Sequence, residues 1–378
     1  MIKIKSNKII VGESLFDGYV YIENEKIVNV TKEDINAETF YDYTGFYVSP
    51  GFIEMHTHGA GNCSFMFGSP EEVAKGCDYH LKFGTTSIMP TVSACGYETM
   101  ESAVKNIAKA KSLTKSNLIG AHLEGPYFSL AQAGAQSPDF ITEPIKSDYE
   151  KLIKNYGQYI ARWSYAPERD KNGEFCKYLT ENGIIASAGH TDAIYEDIKV
   201  AIDNGCRLVT HLFSGTSTIT RDHGFRRLGV IESCFLRDEL TAEIIADGRH
   251  LPPELIKLIL KVKGTDKVIL CTDSLEITGT DIKEGVSGHT EFIVEDGVCK
   301  LKDRTAFAGS IATGNRLIQV LVKECGIQVP TAVKMFTTNP ANFIGLNKGL
   351  IKEGKDADLV IFDEDIMVKS IFVLGKQI

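Results

Sequence analysis

Between residues 52 and 274 the chain repeats one arrangement eight times: a short β-rich run that ends in polar residues. The runs are FIEMHTH, TTSIMPTVS, LIGAHLEGP, IARWSYAPE, IIASAGHTD, RLVTHLFS, LTAEIIADGRH and KVILCTDS. Amphipathic segments such as EEVAKGCDYHLKFG, EFCKYLTENG and PPELIKLILKVKG lie between most of them, with apolar residues at helical spacing and glycine where a helix should stop. Strands that alternate with helices pair in parallel, and eight such units predict an α/β fold, a (β/α)8 TIM-like barrel. A doubly wound open sheet is the competing arrangement, but no glycine-rich phosphate loop follows the first run.

The two ends have another character. VYIENEKIVNV, near the start, reads as two alternating strands joined by an Asn-Glu-Lys turn, and the last thirty or so residues read as further short strands. Each end alone is too short to bury a core. Together they predict a small β-sandwich domain from residues 1–49 and 347–378, beside a barrel spanning 50–346. Net charge of -9 and a pI near 5.6 argue against nucleic acid as a partner. No apolar run approaches the roughly 20 residues that cross a bilayer, so no membrane role is expected. MIKIKSNKII lacks the features of a signal peptide, and the nine cysteines include no CxxC pair. Both point to a cytoplasmic protein with reduced thiols, in which Cys63 and Cys271 serve as small buried apolar residues.

The chemistry gathers at the strand ends. His56 and His58 close the first run, Glu124 the third, His190 the fifth, His211 the sixth and Asp273 the eighth. In a barrel these ends converge on one mouth, where active sites of this fold lie. Alternation along a strand puts residues 56 and 58 on the same face, so both imidazoles can reach one cation. Imidazole nitrogen mixed with carboxylate oxygen suits zinc, iron or a similar divalent metal and disfavours calcium or magnesium. Asp273 is either a further ligand or the proton carrier. Taken singly, each residue has a bland reading: a hydrogen-bonded core histidine, a turn cap at Glu124, a helix cap at Asp273. Those coincidences would have to recur independently at five strand ends of one fold.

PGFIEMHTHG, HLEGPY, SAGHTDA, VTHLF, IADGRH, LCTDS and the tail TTNPANFIGLNKGLIKEGKDADLVIFD together resemble the amidohydrolase superfamily, and within it the N-acetylglucosamine-6-phosphate deacetylase family. HLEGP is the more specific of these motifs, because many amidohydrolases share the His-x-His pair. Glu124 stands where other members carry a carbamate-bearing lysine. The resemblance implies that Glu124, His190 and His211 bind one divalent metal and that His56 and His58, with Glu124 bridging, hold a second. Zinc is the first expectation, with iron, manganese or cobalt as alternatives. It also implies a phosphorylated amino sugar as substrate. His250 and Arg221 would bind its phosphate, delivered to the neighbouring site of a homodimer, and Arg226 and Arg227 share the loop with Arg221. Gly309 and Ser310, in AFAGSIATGN, resemble the loop that closes on substrate.

Three departures from the family pattern fall on the substrate side. Gln136 stands where the family has a histidine, Ser214 and Gly215 replace an Asn-Ala pair, and Arg249 precedes His250. N-acetylgalactosamine 6-phosphate or an unphosphorylated amino sugar is therefore the alternative substrate. Asp273 is expected to take a proton from water acidified by the metal and pass it to the leaving nitrogen. His122 reads as a supporting neighbour of the metal site, and His80 and His289 as structural.

Overall fold

The computed structural model describes residues 1–287 and 289–378. All eight predicted runs contain strands: β1 (Phe52–Thr57), β2 (Thr85–Val92), β3 (Ala121–Glu124), β4 (Ile160–Tyr165), β5 (Ile185–Ala188), β6 (Leu208–Val209), β7 (Thr241–Ile245) and β8 (Val268–Cys271). Each pairs in parallel with the next. The ring closes at its mouth, where His58 N donates to Ser274 O at 2.8 Å and Asp273 N donates to His56 O at 2.9 Å. Lower down β1 is irregular. The Glu54 carboxylate fills the seam there, accepting from Thr272 N at 3.1 Å and from His56 N at 3.0 Å.

The helices follow from local signals. Pro70–Leu81 starts with Ser69 and Glu72 in a reciprocal capping box and with proline in its first turn, and it turns Val73, Cys77 and Leu81 toward the core. That spacing of four is what places one apolar stripe against the sheet.

Three layers fill the barrel. Met55, Met89, Leu208 and Ile269 form an apolar floor. Above them lies a layer of buried polar side chains, Thr91, His122, Arg162, Ser164, Ser187, Thr210 and Glu243. The strand-end histidines and carboxylates form the top.

Both ends of the chain enter one eight-stranded sheet. Leu359–Phe362 is its junction, antiparallel to Tyr47–Pro50 on one side and to Val368–Val373 on the other. Leu359 and Ile361 face a small core with Ile4, Val20 and Val48, whereas Val360 and Phe362 face the barrel core. This is the two-residue period of a strand buried on both faces. Ile27 N donates to Lys355 O and Gly354 N to Ile27 O, so the sandwich is a single sheet curled onto itself.

One element exceeds the sequence expectation. After β8 the chain builds a four-stranded antiparallel flap, Glu284–Ser287, Thr290–Glu295, Val298–Leu301 and Phe307–Gly309, over its own core of Leu275, Ile277, Phe292 and Cys299. Among the described residues no helix is long and apolar enough to cross a membrane.

Candidate active site

The mouth gathers four imidazoles and two carboxylates from five strand ends into one buried cluster. Glu124 Oε1 lies 3.1 Å from His211 Nε2, 3.2 Å from His190 Nε2 and 3.4 Å from His56 Nε2. Glu124 Oε2 lies 3.3 Å from His58 Nε2. Asp273 Oδ1 is 3.3 Å from His56 Nε2 and 3.1 Å from His58 Nε2. Every ring turns its other nitrogen outward. Nδ1 of His190 meets Gln132 O at 2.9 Å, and that of His211 meets Ser214 O at 3.0 Å. Nδ1 of His58 meets Ser93 Oγ at 3.1 Å, and that of His56 meets Glu243 Oε1 at 3.3 Å.

These outward bonds decide what the inward nitrogens do. A carbonyl oxygen only accepts, so Nδ1 of His190 and of His211 carries the proton and Nε2 presents a lone pair to Glu124 unless the ring is doubly protonated. Lone pair and carboxylate repel, and a cation between them removes the conflict. The spacing fits: ligand atoms about 2.1 Å from a tetrahedral cation lie about 3.4 Å from one another. His56, Glu124 and His211, and likewise His56, His58 and Asp273, are close enough to share an ion, and His56 Nε2 is fully buried without a hydrogen-bond partner. The donor set therefore fits a divalent metal.

The backbone is bent to aim these groups. His190, His211 and Asp273 have φ of 45°, 28° and 47°, in the left-handed region that L-residues other than glycine seldom occupy. Strain of this kind concentrates at functional sites.

Without a cation, protons take its place. Burial alone would lower the pKa of His56 and His58, but the facing Glu124 and Asp273 carboxylates override it and raise them to about 10 and about 9. Burial likewise pushes both carboxyls up, and the histidines hold them below their ordinary values. Metal uptake at pH 7 should therefore expel protons, and zinc added to weakly buffered metal-free protein should acidify an indicator dye. The sign for stability follows. Histidines raised above their ordinary value of 6.5 stabilise the metal-free fold in full below about pH 6.5 and lose that contribution as pH climbs through about 9 to 10. Melting curves of the metal-free protein should fall across that window and those of the zinc-loaded protein should not; parallel curves would refute the exchange.

A cavity of about 360 Å³ opens above the cluster. His58, Glu124, His190, His211 and Asp273 form its base, and Gln136, Ser214, Gly215, His250 and Gly309 stand in its wall. Gln136 is fixed at both ends, its Oε1 accepting from Ala94 N at 2.9 Å and its Nε2 donating to Glu124 Oε2 at 2.7 Å. Two expectations need correction, those for Ser310 and His250. Ser310 does not reach the cavity: it is fully buried, and its hydroxyl donates to Thr272 O while its N–H donates to Asp273 O, which straps the end of β8. Arg221, expected at a neighbouring site, lies outside the cavity of its own chain on an exposed hairpin, Thr220–Asp222 with Phe225–Arg227. His250 lines the cavity of its own chain rather than reaching toward a neighbour, held by Asp247 Oδ2 at 2.8 Å and packed on Phe307.

Sequence reading also missed residues. His289, expected to be structural, sits on the flap at the cavity rim, 4.7 Å from the Phe140 ring. Arg162 and Glu243, directly beneath His56, were not singled out. The available signal was a full charge inside each of two otherwise uncharged strands, since parallel strands buried on both faces are nearly all apolar.

Metal-binding side chains hung from the C-terminal ends of barrel strands, beneath a cavity deep enough for a small molecule, define a metal-dependent barrel hydrolase. The pattern of the amidohydrolase family matches residues 47–378. An N-acetylglucosamine-6-phosphate deacetylase of Bacillus subtilis is 31% identical over 94% of this chain and 91% of its own. An N-acetylgalactosamine-6-phosphate deacetylase of Shewanella is 29% identical over 93% and 90%. The crystal structure of N-acetylglucosamine-6-phosphate deacetylase from Pasteurella multocida superposes with a TM-score of 0.93 at 28% identity, covering 100% of this chain and 99% of the other. The chain belongs to the amidohydrolase family and, within it, to the N-acetylglucosamine-6-phosphate deacetylase family.

Proposed function

We propose that this protein removes the acetyl group of N-acetylglucosamine 6-phosphate in the cytoplasm, giving glucosamine 6-phosphate and acetate in amino-sugar catabolism. The observation that carries the reading is the position of Asp273, at once against the metal-binding cluster and in the cavity base. Glu124, His190 and His211 would hold one divalent cation, and His56 and His58, sharing Glu124, a second; nitrogen-rich donors favour zinc, with iron, manganese or cobalt as alternatives. A cation held there acidifies water and polarises an acyl oxygen. The chain's own residues do the rest. Asp273, set against the cluster and facing the cavity, accepts the proton of the attacking water and returns it to the departing nitrogen. Gln136 steadies Glu124, and Ser214, Gly215, His250 and Gly309 form the wall that orients the sugar.

Gln136 and the Ser214-Gly215 pair also favour a second reading, deacetylation of N-acetylgalactosamine 6-phosphate or of an unphosphorylated amino sugar. Acetate release from the three compounds by zinc-loaded protein separates the readings. Equal rates with and without the phosphate would sink the first.

No lysine or arginine is among the described residues that line the cavity. A phosphate held there lacks a permanent cation from its own chain. The exposed hairpin carries Arg221, and Phe225 on it is 79% exposed. This supports a homodimer in which Arg221 of one copy completes the phosphate site of the other, because a guanidinium fork matches phosphate geometry. Arg221→Ala should raise KM for the phosphorylated substrate by about tenfold or more with kcat little changed, as loss of a charge-assisted bond of about 1.5–3 kcal/mol requires. An unchanged KM in a protein that sediments as a dimer would exclude Arg221.

A further inference from the structure

Arg162 on β4 and Glu243 on β7 are both fully buried and face each other across the middle layer of the barrel. Burying two charges is costly unless every donor and acceptor is matched. Here the matching is complete for the arginine. Its Nε donates to Ser187 Oγ at 3.0 Å, one terminal nitrogen to Met55 O at 3.2 Å and to Glu243 Oε2, and the other to Thr210 Oγ1 at 2.9 Å and to Glu243 Oε1 at 2.9 Å. The carboxylate is thereby pinned in the plane of the guanidinium. Its Oε1 then turns upward to two groups of the metal-binding layer, His56 Nδ1 at 3.3 Å and the backbone N–H of His211 at 3.3 Å.

His56 differs from its neighbours in what holds it. His190 and His211 rest on backbone carbonyls and His58 on a serine hydroxyl, whereas His56 alone among the four rests on a carboxylate. A carboxylate on Nδ1 keeps the proton there, leaves the lone pair on Nε2 and makes that nitrogen a stronger donor. His56 Nε2 is the atom that lies between Glu124 Oε1 and Asp273 Oδ1 with no hydrogen-bond partner.

We infer that the Arg162–Glu243 pair is a positioning device for the second cation: Arg162 orients Glu243, and Glu243 sets the tautomer and donor strength of His56. The inference rests on the metal-centre reading above and not on the identity of the sugar. Arg162 and Glu243 lie beneath the cluster and outside the cavity lining, and in this reading both act through His56. The rings of His190 and His211 are set by the carbonyls of Gln132 and Ser214, and Glu243 meets His211 only through its backbone N–H, a bond the amide oxygen of Glu243→Gln can still accept, so the first cation should be indifferent to that change.

The test is a zinc titration of metal-free protein against a chromophoric chelator, which reads two binding constants without any turnover. Glu243→Gln keeps shape but removes the charge facing His56, and it should weaken the second constant by roughly 10–100-fold while leaving the first unchanged. Arg162→Lys keeps a positive partner for Glu243 but loses the two-point grip and most of the other hydrogen bonds, and its second constant should fall by less than that of Glu243→Gln. A merely structural role predicts the reverse ranking, because Arg162→Lys breaks more bonds. Should Glu243→Gln fail to fold, the double variant Arg162→Met with Glu243→Leu removes both buried charges and should again lose only the second constant. The inference is overturned if the second constant is untouched, if both constants fall together, or if wild type holds a single equivalent at saturating zinc. Wild type that binds no zinc would remove the metal-centre reading itself, and acetate release tests the choice of sugar independently.

Discussion

Asp273→Asn should bind zinc as wild type does and turn over roughly 10²–10⁴-fold more slowly, the range that a positioned general base contributes. The argument has two parts. The carboxylate is the one acidic group that both touches the cluster and faces the cavity apart from Glu124, whose oxygens are shared among four imidazoles and Gln136. Asparagine keeps the shape and tolerates the left-handed φ of 47° better than most residues, so the fold should accept it. What disappears is a group able to accept a proton. Measuring bound zinc and kcat on the same sample separates the roles: intact metal with turnover within tenfold of wild type would take Asp273 out of proton transfer.

Glu124→Gln should be more severe, abolishing metal binding and turnover together. Nε2 atoms of His56, His58, His190 and His211 all lie within 3.4 Å of one or other oxygen of this carboxylate. A neutral amide offers one oxygen where two meet the imidazoles and cannot balance the charge of a cation held there. A protein held at a zinc concentration a thousandfold above the dissociation constant gains about 4 kcal/mol of stability from one bound ion. The variant should show no zinc-dependent rise in Tm. A variant that still holds one equivalent of zinc would place the essential ligands elsewhere.

Much of this was legible before the structure, for a physical reason. Barrel strands must alternate with helices and must point their C-terminal ends one way, so a polar residue at each end becomes a site without any knowledge of loops. His56, His58, Glu124, His190, His211 and Asp273 needed only strand parity and strand order. The wall of the cavity was less legible, because loops place it. Ser310 is one residue from Gly309, yet a single step along an extended segment turns its side chain from the cavity to the strap behind β8. The flap follows the last barrel strand and stands outside the repeat, so HTEFIVEDGVCKLKD, with its alternation and Asp-Gly turn, marks a hairpin but not the place where it docks. Arg162 and Glu243 were hidden by their setting: a charge within an apolar strand reads as a defect until its partner, on a strand far away in sequence, is found.

The left-handed backbone at His190, His211 and Asp273 bears on how such a chain can change over generations. Each of these positions costs about 1–3 kcal/mol relative to a relaxed alternative, a large share of the 5–15 kcal/mol that holds a typical domain together. Glycine at any of them would relieve the strain and remove a functional group in one step. Lineages that no longer need the reaction are therefore free to drift toward a sturdier, inert barrel, and selection on activity must keep opposing that drift at these same three positions.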